Sequence, residues 1–505
     1  MRFGLLLAPA LAVVAACGGK ATTKPRTGEV LSALAPPRVE AVPVARAAGP
    51  TFHTEATVTV VPAGASPACP EGRIVSSFVD RGGRGMSRRL VAWSWTDRLD
   101  CGGDPACHHL SADRAPTFED GATLVRQDSG DPQALWLSGG DLVMTSLGSS
   151  GGHRGARNAG VLVVRSSDCG ATWAWQTFLP SATTQTPDGD FGDRPNPYVD
   201  PYDGTLYLDW DIQADASKRH VAVMTRSTDG ARTFSPPTLF GGTDASRNER
   251  KTPLHFAASA PGAMRGGRLF AAWCAWSSWH PKLAWSDDGG VTWAPEIDVL
   301  APGDAGCSGV PLSTGFRNPF ANVTLAVTRA PASGVDRVVV AYEHAVAGRS
   351  AIRVVDVRVP RSGRPVVEPR ILVRAATAGN DAFQSSLVGY DPRFGGEAAG
   401  FEGAVLLSWL ESIPGGGLVA RFAASPGDAR WVGPFDASVD ERGVAFAWPA
   451  LFDPEGTFYG DYLQPASYPP SGGLPAFVIP FPRSSNGAPR PEAHIELRVV
   501  RPFGR

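Results

Sequence analysis

Short apolar runs separated by polar turns recur along most of this chain. Val161 to Val164, His220 to Met224 and Leu283 to Trp285 alternate or run apolar, as a strand does. Long helical patterns are hard to find. Each of these three runs leads into a copy of one polar pattern, and a fourth copy lies upstream. The copies are Ser111 to Phe118, Ser166 to Trp173, Ser227 to Phe234 and Ser286 to Trp293, starting 55, 61 and 59 residues apart. A period near 60 that ends each time on a tight polar turn is a repeat architecture, and one such unit must stack on its neighbours to fold.

The pattern is Ser-x-Asp-x-Gly/Ala-x-Thr-aromatic, and it reads as a hairpin turn. The carboxylates of Asp113, Asp168, Asp229 and Asp288 can accept backbone N–H bonds two residues on, and glycine supplies the positive φ that closes the turn. Trp173, Phe234 and Trp293 are then free to pack against a neighbouring unit. Two copies depart from the pattern: Ala115 replaces the turn glycine in the first, and Ala231 follows a shifted Gly230 in the third. The pattern resembles the Asp-box repeat of the sialidase-like (BNR) β-propeller superfamily, in which the box joins the third and fourth strands of a blade. The resemblance implies an all-β propeller of four-stranded antiparallel blades, with the Asp-box residues in a structural role. The clearest strands, taken as the second of each blade, are Leu90 to Trp93, Leu142 to Met144, Thr205 to Leu208, Leu269 to Trp273, Arg337 to Tyr342, Ala404 to Trp409 and Ala476 to Ile479. They give seven blades over 51–505, or six if the first or last unit is decoration. Blades five and six lack the box but keep turns at Pro360 to Pro365 and Ser425 to Trp431. His494 to Val500 looks like a third strand without a fourth, and Thr51 to Val61 is the segment expected to supply it and close the ring.

Length and composition agree. A propeller uses several hundred residues as one body, and 58 Gly and 45 Pro against 19% charged residues suit many short strands. The net charge of −2, without a polybasic run, gives no electrostatic case for nucleic acid. No cofactor is implied. Cys107, His108 and His109 have no second Cys/His cluster to complete a metal site.

The N-terminal sequence predicts a location in the cell envelope. Arg2 precedes an apolar stretch from Phe3 to Ala16, too short to span a bilayer permanently, so residues 1–16 read as a signal peptide. The sequence Val14-Ala15-Ala16-Cys17-Gly18 resembles the bacterial lipobox, with Cys17 as the lipidated first residue of the mature protein; an ordinary signal peptide with Cys17 incidental is the alternative. Residues 17–50, rich in Ala, Pro and Thr, read as a flexible tether. The expected protein is an exported, lipid-anchored monomer. Six further cysteines, Cys69, Cys101, Cys107, Cys169, Cys274 and Cys307, are an even count that favours disulfides, with 15 connectivities open. Proximity suggests Cys101 with Cys107 and Cys274 with Cys307, leaving Cys69 for Cys169.

The box turns lie on one face of a propeller and the connections between blades on the other, where sialidase-like propellers bind ligand. Three successive connectors contain Asp193-Arg194-Pro195, Arg250-Lys251-Thr252-Pro253 and Arg317-Asn318-Pro319. Arginine holds a carboxylate bidentately without losing its charge, so Arg194, Arg250 and Arg317 are candidates for an acidic ligand, with Asp193 beside them. The alternative is that each opens an inner strand and pairs with an acid such as Asp193 or Glu249. Sialidases use three arginines, a tyrosine nucleophile assisted by glutamate, and an aspartate acid/base. Here the Arg-Ile-Pro element is missing; Arg73-Ile74-Val75 lacks the proline. Tyr342-Glu343 ends a second strand, and Asp461-Tyr462, a further ligand-binding candidate, opens blade seven. The expected function is recognition of an extracellular glycan or acidic sugar, the alternatives being an exo-sialidase-type glycoside hydrolase and a protein-binding envelope scaffold.

Overall fold

A computed structural model of the chain describes residues 37–42, 53–80, 90–101, 104–110, 118–120, 123–126, 130–150, 159–173, 175–181, 190–213, 220–240, 254–260, 267–307, 322–328, 334–373, 381–395, 403–413, 417–427, 430–437, 463–471, 474–484 and 493–503. They form a seven-bladed β-propeller of antiparallel sheets, with 3-10 turns at Pro105–Cys107 and Pro392–Phe394.

From inner to outer strand, blade 1 is His53–Val61, Arg73–Asp80, Leu90–Thr96 and His108–Leu110. Blade 2 is Gln133–Ser138, Asp141–Ser150, Ala159–Ser166 and Trp175–Pro180. Blade 3 is Asp190–Val199, Leu206–Gln213, His220–Ser227 and Thr238–Leu239, and blade 4 is His255–Ala258, Leu269–Ala275, His280–Ser286 and Ile297–Asp298. Blade 5 is Val323–Thr328, Val335–Val346, Arg349–Pro360 and Val366–Val373. Blade 6 is Ala382–Gly389, Val405–Ile413, Gly417–Ser425 and Val432–Asp436.

Blade 7 is Ala466–Ser471, Leu474–Ser484 and Ala493–Arg501, and its outer strand is Arg38–Val42. The ring is therefore closed by the N-terminal segment, as expected, but the strand comes from within the stretch read as tether. Thr51 to Val61 was the expected donor; instead His53–Val61 is the inner strand of blade 1. The reason is visible in the pairing. Arg-Val-Glu-Ala-Val alternates and runs antiparallel to Leu497–Arg501, with Arg501 Nη1 donating to Glu40 at 3.0 Å, whereas Val58, Val60 and Val61 belong between blades. Leu463–Gln464 adds a parallel strand to the inner edge of blade 1, a second link between the two ends of the ring.

Leu90 to Trp93 lies in the third strand of blade 1, not the second. The turn after that strand occupies Asp97 to Cys107, and the fourth strand follows at once. The first copy of the repeat therefore lies beyond the blade's last turn. Its Asp113 is outside the described residues, and Phe118 begins a short hairpin with Thr123–Arg126 that adds to blade 2.

The core sits between blades. Each cluster of buried side chains joins consecutive blades, and the largest runs from blade 6 through blade 7 to blade 1. Second strands such as Val338 to Tyr342 are wholly buried. They read as continuous apolar runs because both faces of a blade pack on neighbours.

The other three copies of the repeat join third to fourth strands. In each, the serine hydroxyl donates to the aspartate (2.7, 2.8 and 2.7 Å) and accepts the N–H four residues on. The aspartates accept the backbone N–H of Thr172, Thr233 and Thr292 at 2.8–2.9 Å, and the threonine hydroxyls at 2.6 Å. The carboxylate thus closes the turn four residues on, where two had been expected. These bonds hold Asp229 and Asp288 ionised, well below the ordinary carboxylate range.

The aromatic residues reach back to the preceding blade. Trp173 meets Trp93 edge-on at 6.2 Å, Phe234 packs on the cluster between blades 2 and 3, and Trp293 meets Phe240 at 4.7 Å. Gly170, at φ +85°, lies so close to Val75 of blade 1 that a Cβ would stand 2.9 Å from its side chain.

All three disulfides have the expected pairing: Cys69–Cys169, Cys101–Cys107 and Cys274–Cys307. Cys69–Cys169 ties the first turn of blade 1 to the polar turn of blade 2, and its 100-residue separation is worth on the order of 4–5 kcal/mol in chain entropy.

Candidate functional site

Each inner strand runs from the face of the blade-to-blade connectors towards the face of the Ser-x-Asp turns. The upper mouth of the channel is therefore lined by residues at the starts of inner strands and the ends of second strands. Four non-glycine residues at these starts hold positive φ: Glu55 (55°), Asp131 (53°), Arg194 (51°) and Gln384 (53°). Such a backbone is uncommon for a residue with a Cβ. In blades 1, 3 and 6 it coincides with a bulge in the pairing of the first two strands, which turns the inner strand at the mouth.

The strained residues are linked from blade to blade. The N–H of Asp131 donates to Glu55 Oε2 at 3.2 Å, and the N–H of Arg194 donates to Asp131 Oδ2 at 3.0 Å. On the other side of the ring, Ser385 N donates to Glu343 Oε1 at 3.2 Å. Near the same level in blades 1 to 5 a polar side chain reaches into the next blade. Gln133 Nε2 donates to Pro195 O (3.0 Å), Asn196 Nδ2 to Leu254 O, and Asn322 Nδ2 to Ser385 O (3.1 Å), while His255 Nε2 meets Asn322 Oδ1 at 3.3 Å. Thr57 Oγ1 accepts Ala134 N at 3.2 Å. The result is a belt of polar contacts running from blade 1 to blade 6.

Burial shifts two ionisable groups of this belt, Asp209 and His255, towards neutrality. Desolvation, with the neighbouring Asp211 charge adding to it, pushes Asp209 well above the ordinary carboxylate range, against the bonds from Leu254 N–H and Asn196. Desolvation likewise lowers His255 to about 4, helped by the Arg194 charge and opposed by Asn322. Two buried oxygens, Gln133 Oε1 and Asp209 Oδ1, have no donor among the described residues.

Of the sequence candidates, Arg194 sits in this layer, 5% exposed, and Asp193 beside it pairs in register with Asp211. Both belong to the bulged inner strand rather than to a connector. Arg250, Arg317, Asp461, Tyr462 and Cys17 lie outside the described residues. Tyr342 and Glu343 are engaged by the scaffold. The Tyr342 hydroxyl donates to Asp304 (2.7 Å) and accepts Ala301 N–H (2.8 Å), and burial together with that carboxylate pushes the phenol up. Arg353 holds Asp304 bidentately at 2.7 and 2.8 Å. No sequence signal marks Glu55, Asp131, Gln133, Asn196, Asp209 and His255 as members of one layer, although Asp131-Pro132-Gln133 and Arg194-Pro195-Asn196 share a charged-Pro-amide pattern that could align two blades.

The cavity of about 200 Å³ within the channel lies at the opposite, lower end. The 3-10 turn Pro392–Phe394 of blade 6 crosses beneath it to blade 2. Arg393 there donates to Leu137 O (2.6 Å) and lies 4.2 Å over the ring of Trp136, and Phe394 stacks on that ring. Asp200, at the same end, is raised to about 6 by desolvation, reinforced by Asp203 and offset by Arg393. Arg194, the candidate arginine among the described residues, is not in its lining.

The sequence matches no protein-family model and no curated protein. Among solved structures, the fold is similar to that of a Hadza microbial sialidase (14% identity, TM-score 0.41), over 71% of this chain and 63% of that one, so less than two thirds of the sialidase is spanned. It is similar to the intramolecular trans-sialidase of Ruminococcus gnavus (10% identity, TM-score 0.43, 71% and 90% of the chains) and to a NanB sialidase of Streptococcus pneumoniae (11%, 0.41, 89% and 94%). At these identities the likeness concerns the fold.

Proposed function

We propose that this protein is an exported, lipid-anchored propeller with Asp-box turns that binds a glycan at its upper mouth. The observation that carries the reading is the belt around Glu55, Asp131 and Arg194. It places strained, buried polar residues at equivalent positions in three adjacent blades, a kind of strain that accumulates at ligand sites. Amides, an imidazole and a carboxyl, the last two shifted towards their neutral forms, offer donors and acceptors that suit sugar hydroxyls. Arg194, with Arg250 and Arg317 from the chain between the next blades and Asp461 and Tyr462 from the chain ahead of blade 7, would receive a carboxylate on an acidic sugar. The engagement of Tyr342 and Glu343 in the scaffold favours binding over hydrolysis.

Cys17 would carry the lipid, and three disulfides suit an oxidising envelope compartment. Because Arg38 already belongs to blade 7, the tether shrinks to roughly 20 residues and spans at most about 70 Å. A glycan array probed with the soluble chain, together with a fluorogenic sialoside assay, tests the reading. Glycan binding without turnover supports it. Turnover would make the protein a hydrolase, and capture of protein but no glycan would make it a scaffold.

A further inference from the structure

The hairpin joining the second and third strands of blade 4 carries two tryptophans at its tip, Trp276 and Trp279. Their rings are 5.2 Å apart and inclined at 33°, and Trp279 is 36% exposed. The tip belongs to the same face as the mouth. His255 pairs with Ala272, so Trp276, four residues further along the strand, stands about 13 Å above the His255 level.

Trp279 is held in a conformation that a bulky residue avoids. Its φ is +55°, a left-handed backbone that is sterically unfavourable for a residue with a Cβ. The loop that follows blade 4 fixes it there. Cys307 N–H donates to Trp279 O at 2.6 Å, the Cys274–Cys307 disulfide anchors that loop to the second strand, and a Cβ at Gly306 would collide with the Trp279 carbonyl. Glycine or asparagine would meet the backbone requirement at lower cost, so the turn itself does not call for an exposed indole.

Polar residues adjoin the tip in sequence and continue along the third strand. Ser278 Oγ accepts His280 N–H at 3.3 Å, His280 Nδ1 lies 3.4 Å from Asp298, and Lys282 Nζ lies 2.8 Å from Asp298 and 3.7 Å from Glu296. A pyranose ring has the matching character, with an apolar C–H face to lie on an indole and equatorial hydroxyls to meet charged groups at its edge. Two indoles on one hairpin tip offer far less area than the roughly 800 Å² per partner of a stable protein interface.

We infer that Trp276 and Trp279 form a stacking platform for a sugar ring of the glycan whose other end enters the mouth. The inference takes its ligand class from the proposed function and adds that recognition extends over the rim of blade 4. The mouth and the platform together select an oligosaccharide over a monosaccharide.

The test is a length series of array-positive glycans titrated against wild type, Trp279→Gly, Trp279→Ala and Arg194→Ala. Trp279→Gly removes the ring and suits the left-handed backbone, so its thermal midpoint should equal or exceed that of wild type while affinity for longer glycans falls at least tenfold. Monosaccharide affinity should not change. Wild-type affinity for every length in both Trp279 variants would overturn the platform and leave the mouth standing. Loss of binding in the Trp279 variants with none in Arg194→Ala would uphold the platform and refute the mouth. Binding of no glycan by wild type would refute both.

Discussion

The backbone N–H of Arg194 in blade 3 donates to the carboxylate of Asp131 in blade 2 at 3.0 Å. Asp131 in turn donates its own N–H to Glu55 of blade 1. Each acid captures the amide of the strained residue in the next blade, so the backbone conformation at the mouth is set between blades as well as within them.

Asp131→Ala leaves the Arg194 amide without its acceptor in a buried setting. Hydrogen bonds to charged groups are worth about 1.5–3 kcal/mol, and a loss of that size is expected in urea unfolding, together with weaker glycan binding. Asp131→Asn keeps an acceptor oxygen and should lose less. Equal stability of Asp131→Ala and wild type would show that the link is idle.

Burial pushes the Asp209 carboxyl well above the ordinary carboxylate range, and Asp209→Asn puts a neutral group of nearly the same shape in its place. At pH 7 its thermal midpoint should equal or exceed that of wild type. A raised acid stabilises the fold fully below its unfolded pKa and loses that contribution as pH rises through the folded value. The variant should therefore also show a flatter fall in stability with rising pH. Marked destabilisation at pH 7 would mean that the carboxylate is ionised and paired.

Asp200 at the lower end gives the same test with a defined window. Its pKa is about 6 in the fold and near 3.8 unfolded, so its contribution declines between about pH 4 and pH 6 and is gone above that. Two pKa units correspond to about 3 kcal/mol. Asp200→Asn, which keeps an oxygen for Tyr202 N–H, should gain stability of that order over wild type at pH 8 and little at pH 4, as read from thermal unfolding at both.

Trp173 is 5% exposed and packs on Trp93 of the preceding blade. Trp173→Ala should cost about 3–5 kcal/mol, and Trp293→Ala, half-buried, should cost less. Glycan affinity of the folded fraction should be unchanged in both, because these turns lie on the face opposite the mouth. A loss of affinity without a loss of stability would reverse the assignment of the faces.

The propeller was legible because its turn chemistry is local. Ser166, Asp168 and Thr172 bond among themselves, so the pattern survives in the sequence and its period gives the blade. The closing strand was harder to see, because Arg38 to Val42 is five alternating residues between Pro37 and Pro43 in a Pro- and Ala-rich stretch, and only its pairing with Arg501 and its neighbours defines it. In blade 1 the disulfide-closed segment from Asp97 to Cys107 stands where the Ser-x-Asp turn does in blades 2 to 4, so the upstream copy at Ser111 misplaced the third strand. The mouth was least legible. Glu55, Asp131 and Gln384 share no residue type with Arg194; what they share is a positive φ at the start of an inner strand, produced by bulges and inter-blade hydrogen bonds. The connector arginines drew attention because charge is visible in a sequence, and register is not.

The most direct measurement is calorimetric titration of an array-positive acidic glycan and its neutral counterpart into wild type and Arg194→Ala, with unfolding followed in parallel. Binding of the acidic glycan by wild type, weakened about tenfold or more in Arg194→Ala with the fold intact, and a smaller effect on the neutral counterpart, is the expected result. Unchanged affinity for both glycans in a folded Arg194→Ala would contradict the placement of the site at the mouth.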